Sequence, residues 1–339
     1  MVRPVQKDGR STKVTATKAG REHIQRVLDI IKETERDGLL VDRRGDGLSG
    51  ISGLKTVGVL QRLAKLFADE ADACYLEIGV YQGLTLVSTA LEAPDMACFG
   101  IDNFATLDPD GKNQAIVRAR LETFAAVNAT LIDADFEDAL EGLGAHLVGR
   151  QVGVYFVDGP HDYRSQLVCL LAGLKHLREG AVIIIDDANY PDVRWSTRDF
   201  LHGHPEFKMV FEAYSPAHPV NMTAAEKKTH ELGWLNGVNI LVHDPDGALP
   251  EMLPPVDPTE RTLYLNEWLA HRKIFAELAP EALDLAAAVC SGDTDAEAKA
   301  RDAILAKHGG LEGGIEDRFP DRNVYSAGLT EGRYNKFTR

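Results

Sequence analysis

The sequence predicts an α/β fold in which a doubly wound, mostly parallel sheet is covered by helices on both faces. Short apolar runs alternate with helical segments between residues 73 and 187. Parallel strands need crossover helices, so this alternation is typical of such a sheet. Two later apolar runs, 207–214 and 234–244, have no convincing helix between them. They are predicted to pair antiparallel at one edge.

The elements follow in a clear order along the chain. Ile24, Val27, Leu28 and Ile31 recur at helical spacing in a predicted helix over 20–38. After a Gly-rich turn, a second amphipathic helix is predicted over residues 54–71. The predicted strands are 73–78, 97–102, 129–135, 152–158 and 181–186, with helical segments between them at 84–93, 114–127, 136–144 and 162–179.

The pattern divides the 339 residues into four parts. We expect a flexible basic tail (1–20), N-terminal helices (21–70), the α/β core (71–245), and a C-terminal region (246–339) with a Pro-rich linker, helices and an irregular tail. A contact arm in an oligomer is the alternative for the basic tail. The helices beyond the core either cap a site or build a homo-oligomer.

Charge and composition exclude several classes of protein. The formal net charge of −15 argues against nucleic acid as the main partner, because binding phosphates needs a concentrated cationic surface. No apolar run is long enough to cross a bilayer and no secretory segment begins the chain, so we expect a soluble cytoplasmic protein without a membrane partner. The four cysteines form no CxxC pair and are predicted to be core residues of a reduced compartment: Cys74, Cys98, Cys169 and Cys290.

The first predicted strand ends in a glycine turn, "LEIGVYQGLTL". Gly79 and Gly83 allow a tight turn and a close approach to a ligand at the N-terminus of the next helix. Glu77 stands where the pyrophosphate of a dinucleotide would be repelled, and a third glycine is missing. A carboxylate at this position suits a ligand with an ammonium or sulfonium charge. A plain structural turn is the alternative.

The next two strands also end in acids. Asp102 follows Glu77 at roughly the 20-residue distance at which a Rossmann-like acid meets ribose hydroxyls. Asp135 and Phe136 follow the third strand, where a hydrogen bond and a stacking ring could meet an adenine. Either acid alone could be a helix cap, but three strand ends each offer one in order.

A second group of polar residues follows strands four and five. "VYFVDGPHDY" supplies Asp158 and His161, and "VIIIDDANY" supplies Asp186 and Asp187. Three carboxylates on neighbouring strand ends repel one another unless a cation lies among them. Oxygen ligands favour Mg²⁺, with Ca²⁺ and Mn²⁺ as alternatives. General acid–base chemistry or a capped strand end would also explain these residues.

Together, the glycine turn and the acids Glu77, Asp102 and Asp135 resemble the class I S-adenosylmethionine-dependent methyltransferases, which have a Rossmann-like fold. The resemblance covers roughly residues 51–245, including the final antiparallel pair. It implies that Glu77 with Gly79 and Gly83 holds the methionine part of S-adenosylmethionine, Asp102 the ribose, and Asp135 with Phe136 the adenine.

The second group resembles the metal-dependent O-methyltransferases that act on sugar hydroxyls of natural products. The D-G-x-H turn and the D-D pair carry this resemblance, whereas catechol-type enzymes usually show Asp-Asn at the pair. It implies that Asp158, Asp186 and Asp187 hold Mg²⁺ or another divalent cation. A metal-bound hydroxyl acidifies, and His161 is the candidate base beside Asp158. The partner is then a small hydroxylated acceptor, and a sugar hydroxyl, a catechol-like phenol and a polyketide hydroxyl are the alternatives.

The acceptor side is less defined by sequence. Tyr190, Arg194, Trp195 and the insertion 215–236 are expected to border the acceptor, since substrate lids can occupy such positions. His218 and His230 in this insertion are interpreted as solvated loop residues. Competing hypotheses are a nicotinamide-dependent oxidoreductase, opposed by Glu77, and a non-catalytic subunit that binds S-adenosylmethionine.

Overall fold

A computed structural model describes residues 17–256, 267–308, 329 and 331–337, with backbone alone for 267–277. Most of the predicted basic tail 1–20 and most of the irregular C-terminal tail lie outside the described residues. Within the described part of the chain, no helix is long and apolar enough to cross a membrane.

The centre of the molecule is an eight-stranded sheet in the order β3-β2-β1-β4-β5-β7-β6-β8. The strands β1 to β5 pair in parallel, and β7 pairs antiparallel with both β5 and β6. This confirms the predicted mostly parallel sheet and the antiparallel pair. The strands are β1 Ala73–Ile78, β2 Ala97–Asp102, β3 Ala129–Asp133, β4 Gln151–Val157, β5 Leu177–Asp186, β6 Phe207–Ala213, β7 Val238–His243 and β8 Arg333–Tyr334.

Helices connect the strands and flank the sheet. The first begins after Thr17, whose side chain accepts a hydrogen bond from the Gly20 N–H and so caps the helix. The helices are α1 Lys18–Asp37, α2 Leu54–Ala68, α3 Leu84–Glu92, α4 Asn113–Thr123, α5 Phe136–Gly142, α6 Gly144–Leu147, α7 Tyr163–Gly173, α8 Pro191–Gly203, α9 Ala224–Glu231, α10 Glu267–Ser291 and α11 Thr294–His308.

Two apolar cores lie on opposite faces of the sheet, because successive strand residues point to opposite sides. Tyr75 and Phe156 face the core that contains Ile31 of α1 and Leu63 of α2. The second core contains alternating residues of the same strands and apolar residues of α5, α7 and α8. The central strands are therefore covered on both faces, and polar residues gather where the strands end.

Several predicted boundaries were wrong. The strand β5 begins at Leu177, so the helix predicted over 162–179 ends as α7 at Gly173, followed by a 3₁₀ turn at Leu174–His176. The run predicted as a strand from 234 enters the sheet only at Val238, because 234–237 form a turn.

The short edge strand β8 pairs with β6 and was not expected from the sequence. Its Arg333 forms an ion pair with the fully buried Glu212 of β6. A buried carboxylate without a partner is costly, so this pair favours docking of the C-terminal strand.

The cysteine prediction needs one correction. Cys74, Cys98 and Cys169 are buried and free, as expected for core residues. Cys290 in α10 is also free but exposed, because helical spacing alone does not reveal which face of a helix is covered.

Candidate active site

The candidate site lies where the sheet changes winding direction, between β1 and β4. The chain runs from β1 outward through β2 to β3 and then returns to β4 on the other side of β1. In sheets of this kind the loops after the two strands run to opposite faces, and a ligand crevice is expected at the carboxyl ends of the strands. Gly79 has a φ of +88°, and a Cβ there would lie 1.8 Å from the carbonyl oxygen of Asp158. Only glycine permits this contact.

Glu77 lies beneath the glycine turn and is fully buried. It accepts hydrogen bonds from the hydroxyls of Tyr75 (2.5 Å) and Thr85 (3.2 Å). Burial raises the pKa of Glu77 to about 8, against the opposing effect of these two donors. The carboxyl group joins β1 to the first turn of α3, and so supports the glycine turn from below.

Asp102 at the end of β2 holds the backbone of the glycine turn. Its Oδ2 accepts from the backbone N–H groups of Val80 and Tyr81, both at 2.8 Å. Its Oδ1 accepts from the N–H of Phe104 at 2.7 Å. Asp102 therefore organises the ends of two strands at once.

Asp135 caps α5. A helix cap was the alternative to adenine binding that the sequence allowed for this acid. Its Oδ1 accepts from the N–H of Glu137 at 2.9 Å, and Asn103 donates to Oδ2 at 3.4 Å. Phe136 packs at the edge of the second core. The structure thus places Asp135 beside the loop that follows Asp102.

Residues of the N-terminal part lie against the glycine turn. A Cβ on Gly50 would lie 2.8 Å from the Cβ of Leu84, the first residue of α3. Arg120 of α4 donates to the carbonyls of Ser49 (2.8 Å) and Gln82 (2.7 Å), which ties the two loops together. The turn that precedes α2 therefore packs beside the glycine turn.

On the other side of Gly79, three polar side chains meet. Asp158, His161 and Asp187 each bring a potential ligand atom within 4.8 Å of the others. His161 Nε2 lies 2.7 Å from Asp187 Oδ2 and 3.9 Å from Asp158 Oδ1. Their side chains are 21% to 29% exposed, so the cluster is sheltered but open to the crevice. The structure brings together both strand ends that the sequence singled out.

The charges of this cluster are strongly coupled. Burial by itself lowers the pKa of His161, but the carboxylates of Asp187 and Asp158 outweigh it and raise that pKa to about 10. Burial and the charge of Asp187 raise the pKa of Asp158. Burial alone would raise the pKa of Asp187, yet the imidazolium of His161 and the amide of Asn236 hold it below its ordinary value. The cluster therefore carries bound protons near neutral pH.

Asp186 differs from its neighbour Asp187. It is the last residue of β5 and only 7% exposed. Burial, together with the charges of Asp158 and Asp187, raises its pKa well above the ordinary value. It is not one of the three residues, Asp158, His161 and Asp187, whose potential ligand atoms lie within 4.8 Å of one another. The sequence treated the two acids as equivalent ligands, whereas the structure places Asp187 closer to Asp158 and His161.

Asp187 has a φ of +56°, in the left-handed region that a non-glycine residue rarely occupies. Strain of this kind is concentrated at functional sites. The Nδ2 of Asn236 donates to Asp187 Oδ1 at 2.6 Å. Asn236 was not among the predicted site residues, and its only local signal is the Asn-Gly pair, which is typical of turns.

An aromatic row extends from the cluster toward the insertion. The rings of His161 and Tyr190 stack with centroids 4.7 Å apart. The Tyr190 hydroxyl lies 3.1 Å from Nε2 of His218. Burial lowers the pKa of His218 to about 4. The interpretation of His218 as a solvated loop residue was therefore wrong, because the insertion folds back over Tyr190.

Two other residues expected at the acceptor side are buried instead. Arg194 is 1% exposed and donates to the carbonyls of Ala188 (3.0 Å) and Asn189 (2.7 Å). Trp195 is 5% exposed. Both belong to the packing of α8, so Arg194 braces the turn after β5 from inside. His230 is half-buried at the end of α9.

Asn189 fixes the start of the insertion to the same turn. Its Nδ2 donates to the Ser215 hydroxyl at 2.5 Å, and its Oδ1 accepts from the Ser215 N–H at 3.2 Å. The insertion between β6 and β7 is thus held against the residues that carry Asp187.

Several solved structures are similar to this chain. A cofactor-bound protein, Rv0187 from MTB, is 15% identical, with a TM-score of 0.43, covering 67% of this chain and 91% of that one. An O-methyltransferase from Bacillus cereus in complex with SAH is 14% identical, with a TM-score of 0.41 and coverage of 66% and 90%. TomG from Streptomyces achromogenes, an O-methyltransferase involved in tomaymycin synthesis, is 16% identical, with a TM-score of 0.39 and coverage of 66% and 89%.

The comparison with protein-family models matches one region of the chain. No curated protein sequence matches the chain. Residues 76–188 match the model of a family described as a methyltransferase domain. The match begins within β1 and ends just after Asp187, so it contains the glycine turn, Asp102 and the acidic cluster. This match agrees with the resemblance inferred from the strand ends: residues 76–188 are similar to a methyltransferase domain.

Proposed function

We propose that the protein transfers a methyl group from S-adenosylmethionine to a hydroxyl of a small molecule, in a reaction that depends on a divalent cation. The observation that carries the proposal is the contact between the two halves of the site. Gly79, in the turn proposed to hold the cofactor, lies directly against Asp158, which belongs to the acidic cluster. A methyl donor and a hydroxyl bound on the two sides of this contact would be neighbours.

The cofactor half would consist of the glycine turn and the acids that follow it. Gly79 and Gly83 would let the backbone approach S-adenosylmethionine, with the free N–H groups of α3 behind them. Asp102 would face the ribose, and Asp135 with Phe136 the adenine. Glu77 would act mainly by supporting the glycine turn, since its carboxyl group accepts hydrogen bonds from Tyr75 and Thr85.

We expect Asp102→Ala to weaken binding of S-adenosylhomocysteine by roughly ten- to a hundredfold, because three backbone N–H groups lose their acceptor and the ribose would lose its partner. Calorimetric titration measures this affinity. Asp108→Ala is a suitable control, since Asp108 also accepts from backbone N–H groups, of Lys112 and Asn113, but in an exposed loop. Equal affinities in the wild type and the Asp102 variant would refute the cofactor placement.

The cluster of Asp158, His161 and Asp187 supplies oxygen donors and negative charge, and both suit a divalent cation. Asp158 and Asp187 converge from two strands, and burial together with the neighbouring carboxylate charges raises the pKa of Asp158 and of Asp186. Asp158 and Asp187 would hold the cation, with Asp186 behind them as the third acid. When bound, the cation would acidify and orient an acceptor hydroxyl. Mg²⁺ is our proposal, because oxygen donors predominate.

Binding of Mg²⁺ is expected to release protons at neutral pH. His161 has a pKa raised to about 10, and Asp158 and Asp186 have raised pKa values, so the cluster without a cation holds protons that a cation displaces. Metal affinity should therefore increase with pH. Calorimetry in two buffers with different protonation enthalpies measures the released protons, roughly one or more per site. Identical heats in the two buffers would contradict this charge assignment.

His161 is proposed to take the proton of the acceptor hydroxyl. For this it must be neutral, and in the protein without a cation the carboxylates keep it protonated. A cation bound to these carboxylates would offset their negative charge, so they would stabilise the imidazolium less and the pKa of His161 would fall. Stacking against Tyr190 would keep the ring in place.

The acceptor is proposed to be a sugar or another natural product with a hydroxyl group. His161 stacks on Tyr190, and Tyr190 meets His218 edge to face, so aromatic rings lie beside the acids, which suits a ring-shaped acceptor. We further propose that residues 71–245 form the catalytic core and that the protein forms a homo-oligomer.

The decisive experiment is calorimetric titration with S-adenosylhomocysteine, with and without Mg²⁺. Micromolar binding would support the proposal and justify a screen of hydroxylated acceptors. The absence of binding under both conditions, with binding of a nicotinamide cofactor instead, would favour an oxidoreductase. Cofactor binding without turnover of any acceptor would favour a non-catalytic subunit.

A further inference from the structure

We propose that Asn236 is a positioning residue that orients Asp187 for cation binding, so that the end of the insertion, residues 233–237, controls the affinity of the metal site. The inference rests on the proposed function, because it assumes that Asp187 is a cation ligand. Asn236 lies outside the matched methyltransferase domain, which ends at residue 188.

The contact itself is short and sheltered. Asn236 Nδ2 donates to Asp187 Oδ1 at 2.6 Å, and Asn236 is only 3% exposed. The carboxylate can only accept, so the amide must turn its NH₂ group toward it. A hydrogen bond from a neutral donor to a carboxylate is stronger than a bond between neutral groups, and more so where water is excluded.

The bond gives the two oxygens of Asp187 different roles. Oδ1 is held by Asn236, whereas Oδ2 lies 2.7 Å from Nε2 of His161. Oδ2 is thus the oxygen directed toward His161, another member of the cluster. Without Asn236, the carboxylate could rotate about its terminal bond, since this torsion has only broad energy minima. The cation would then lose a preoriented ligand.

The backbone around Asn236 is fixed to the same turn as Asp187. The Asn236 carbonyl accepts from the Asn189 N–H at 2.9 Å, and the Gly237 carbonyl accepts from the Ala188 N–H at 3.3 Å. Gly237 has a φ of +86°, and a Cβ there would lie 2.8 Å from Asn189 Oδ1. Two loops distant in sequence therefore form one unit.

The other side of this segment is fixed to the N-terminal helices. Trp234 Nε1 donates to Glu35 of α1 at 2.7 Å, and Lys55 of α2 donates to the same carboxylate oxygen at 2.8 Å. The Lys55 N–H donates to the Gly233 carbonyl at 3.0 Å. Asn236 is thus held between the helical layer and the acidic cluster, and a shift of segment 233–237 would be transmitted to Asp187.

The test compares Asn236→Leu with a matched control, Asn239→Leu. Leucine has nearly the shape of asparagine but cannot donate a hydrogen bond. Asn239 is an equally buried asparagine three residues further on, and it donates to the Tyr214 hydroxyl at 3.0 Å and to no residue of the cluster. Asn236→Ala, which also removes the donor, replaces the leucine variant should that one not fold.

The measurement is calorimetric titration with Mg²⁺, followed by S-adenosylhomocysteine on the same samples. We expect Asn236→Leu to weaken Mg²⁺ binding by roughly 10- to 100-fold, the usual effect of losing a hydrogen bond to a metal ligand. Asn239→Leu should stay within about twofold of the wild type, and both variants should bind S-adenosylhomocysteine as the wild type does.

Two results would overturn the inference alone: unchanged Mg²⁺ affinity in Asn236→Leu, or an equal loss in Asn239→Leu. If the wild type binds no divalent cation, the metal-dependent function fails and takes this inference with it. The wild-type titration thus separates the two failures.

Discussion

Asp187→Asn is expected to lower turnover by on the order of 10³-fold, because cation assistance contributes several kcal/mol to such a reaction. The variant keeps the size of the side chain but loses the charge that pairs with His161 at 2.7 Å. S-adenosylhomocysteine should still bind, since the glycine turn and Asp102 are untouched. EDTA should reduce the wild type to a similar residual rate, and Mg²⁺ should restore it.

Asp199→Asn is the matched control for this prediction. Asp199 of α8 is also partly buried and accepts a hydrogen bond from the Tyr163 hydroxyl at 2.7 Å, but it lies outside the cluster. Its replacement should change stability more than turnover. Full activity of the wild type in EDTA would end the metal hypothesis, whatever the variants show.

His161→Gln is expected to lower turnover by on the order of 10²-fold or more while Mg²⁺ still binds. The wild-type rate should increase with pH as His161 loses its proton, and this rising limb should be absent in the variant. A pH profile of kcat, with Mg²⁺ affinity measured in parallel, separates loss of the base from loss of the metal.

The control for His161 is His176→Gln. His176 is a half-buried histidine whose ring hydrogen-bonds the Leu140 carbonyl, remote from the acidic cluster. Its replacement should leave the pH profile unchanged. If His161→Gln retained both the rate and the rising limb, His161 would have at most a supporting role beside Asp187.

Much of the sheet could be predicted because its signal is local. Apolar runs such as "AVIIID" are bounded by helical patterns, and their alternation admits few topologies. The predicted ends of helices and strands were wrong where hydrophobic periodicity does not distinguish a helix from a strand. Residues 177–180 are polar enough to extend a helix, yet they join β5 because Leu177 pairs with Val152 of β4. Pairing between strands is a tertiary property.

The acids could be predicted for a related reason. In a parallel sheet, the carboxyl ends of neighbouring strands share one edge, so Asp102, Asp158 and Asp187 could be assigned to one crevice without coordinates. What each acid does there was beyond the sequence. Asp135 caps a helix and Asp102 holds three backbone N–H groups, because local N–H donors happen to lie within reach.

By itself, the sequence determined the α/β architecture, the winding of the parallel strands and the edge at which the acids lie, since these follow from hydrophobic periodicity and strand direction. Tertiary structure alone separated Asp187 from Asp186, through the left-handed φ of Asp187. It also brought Asn236 and His218 to the site from the insertion before β7. The reason is that contacts across nearly 50 residues depend on how β7 pairs with β5, and no local pattern records that pairing.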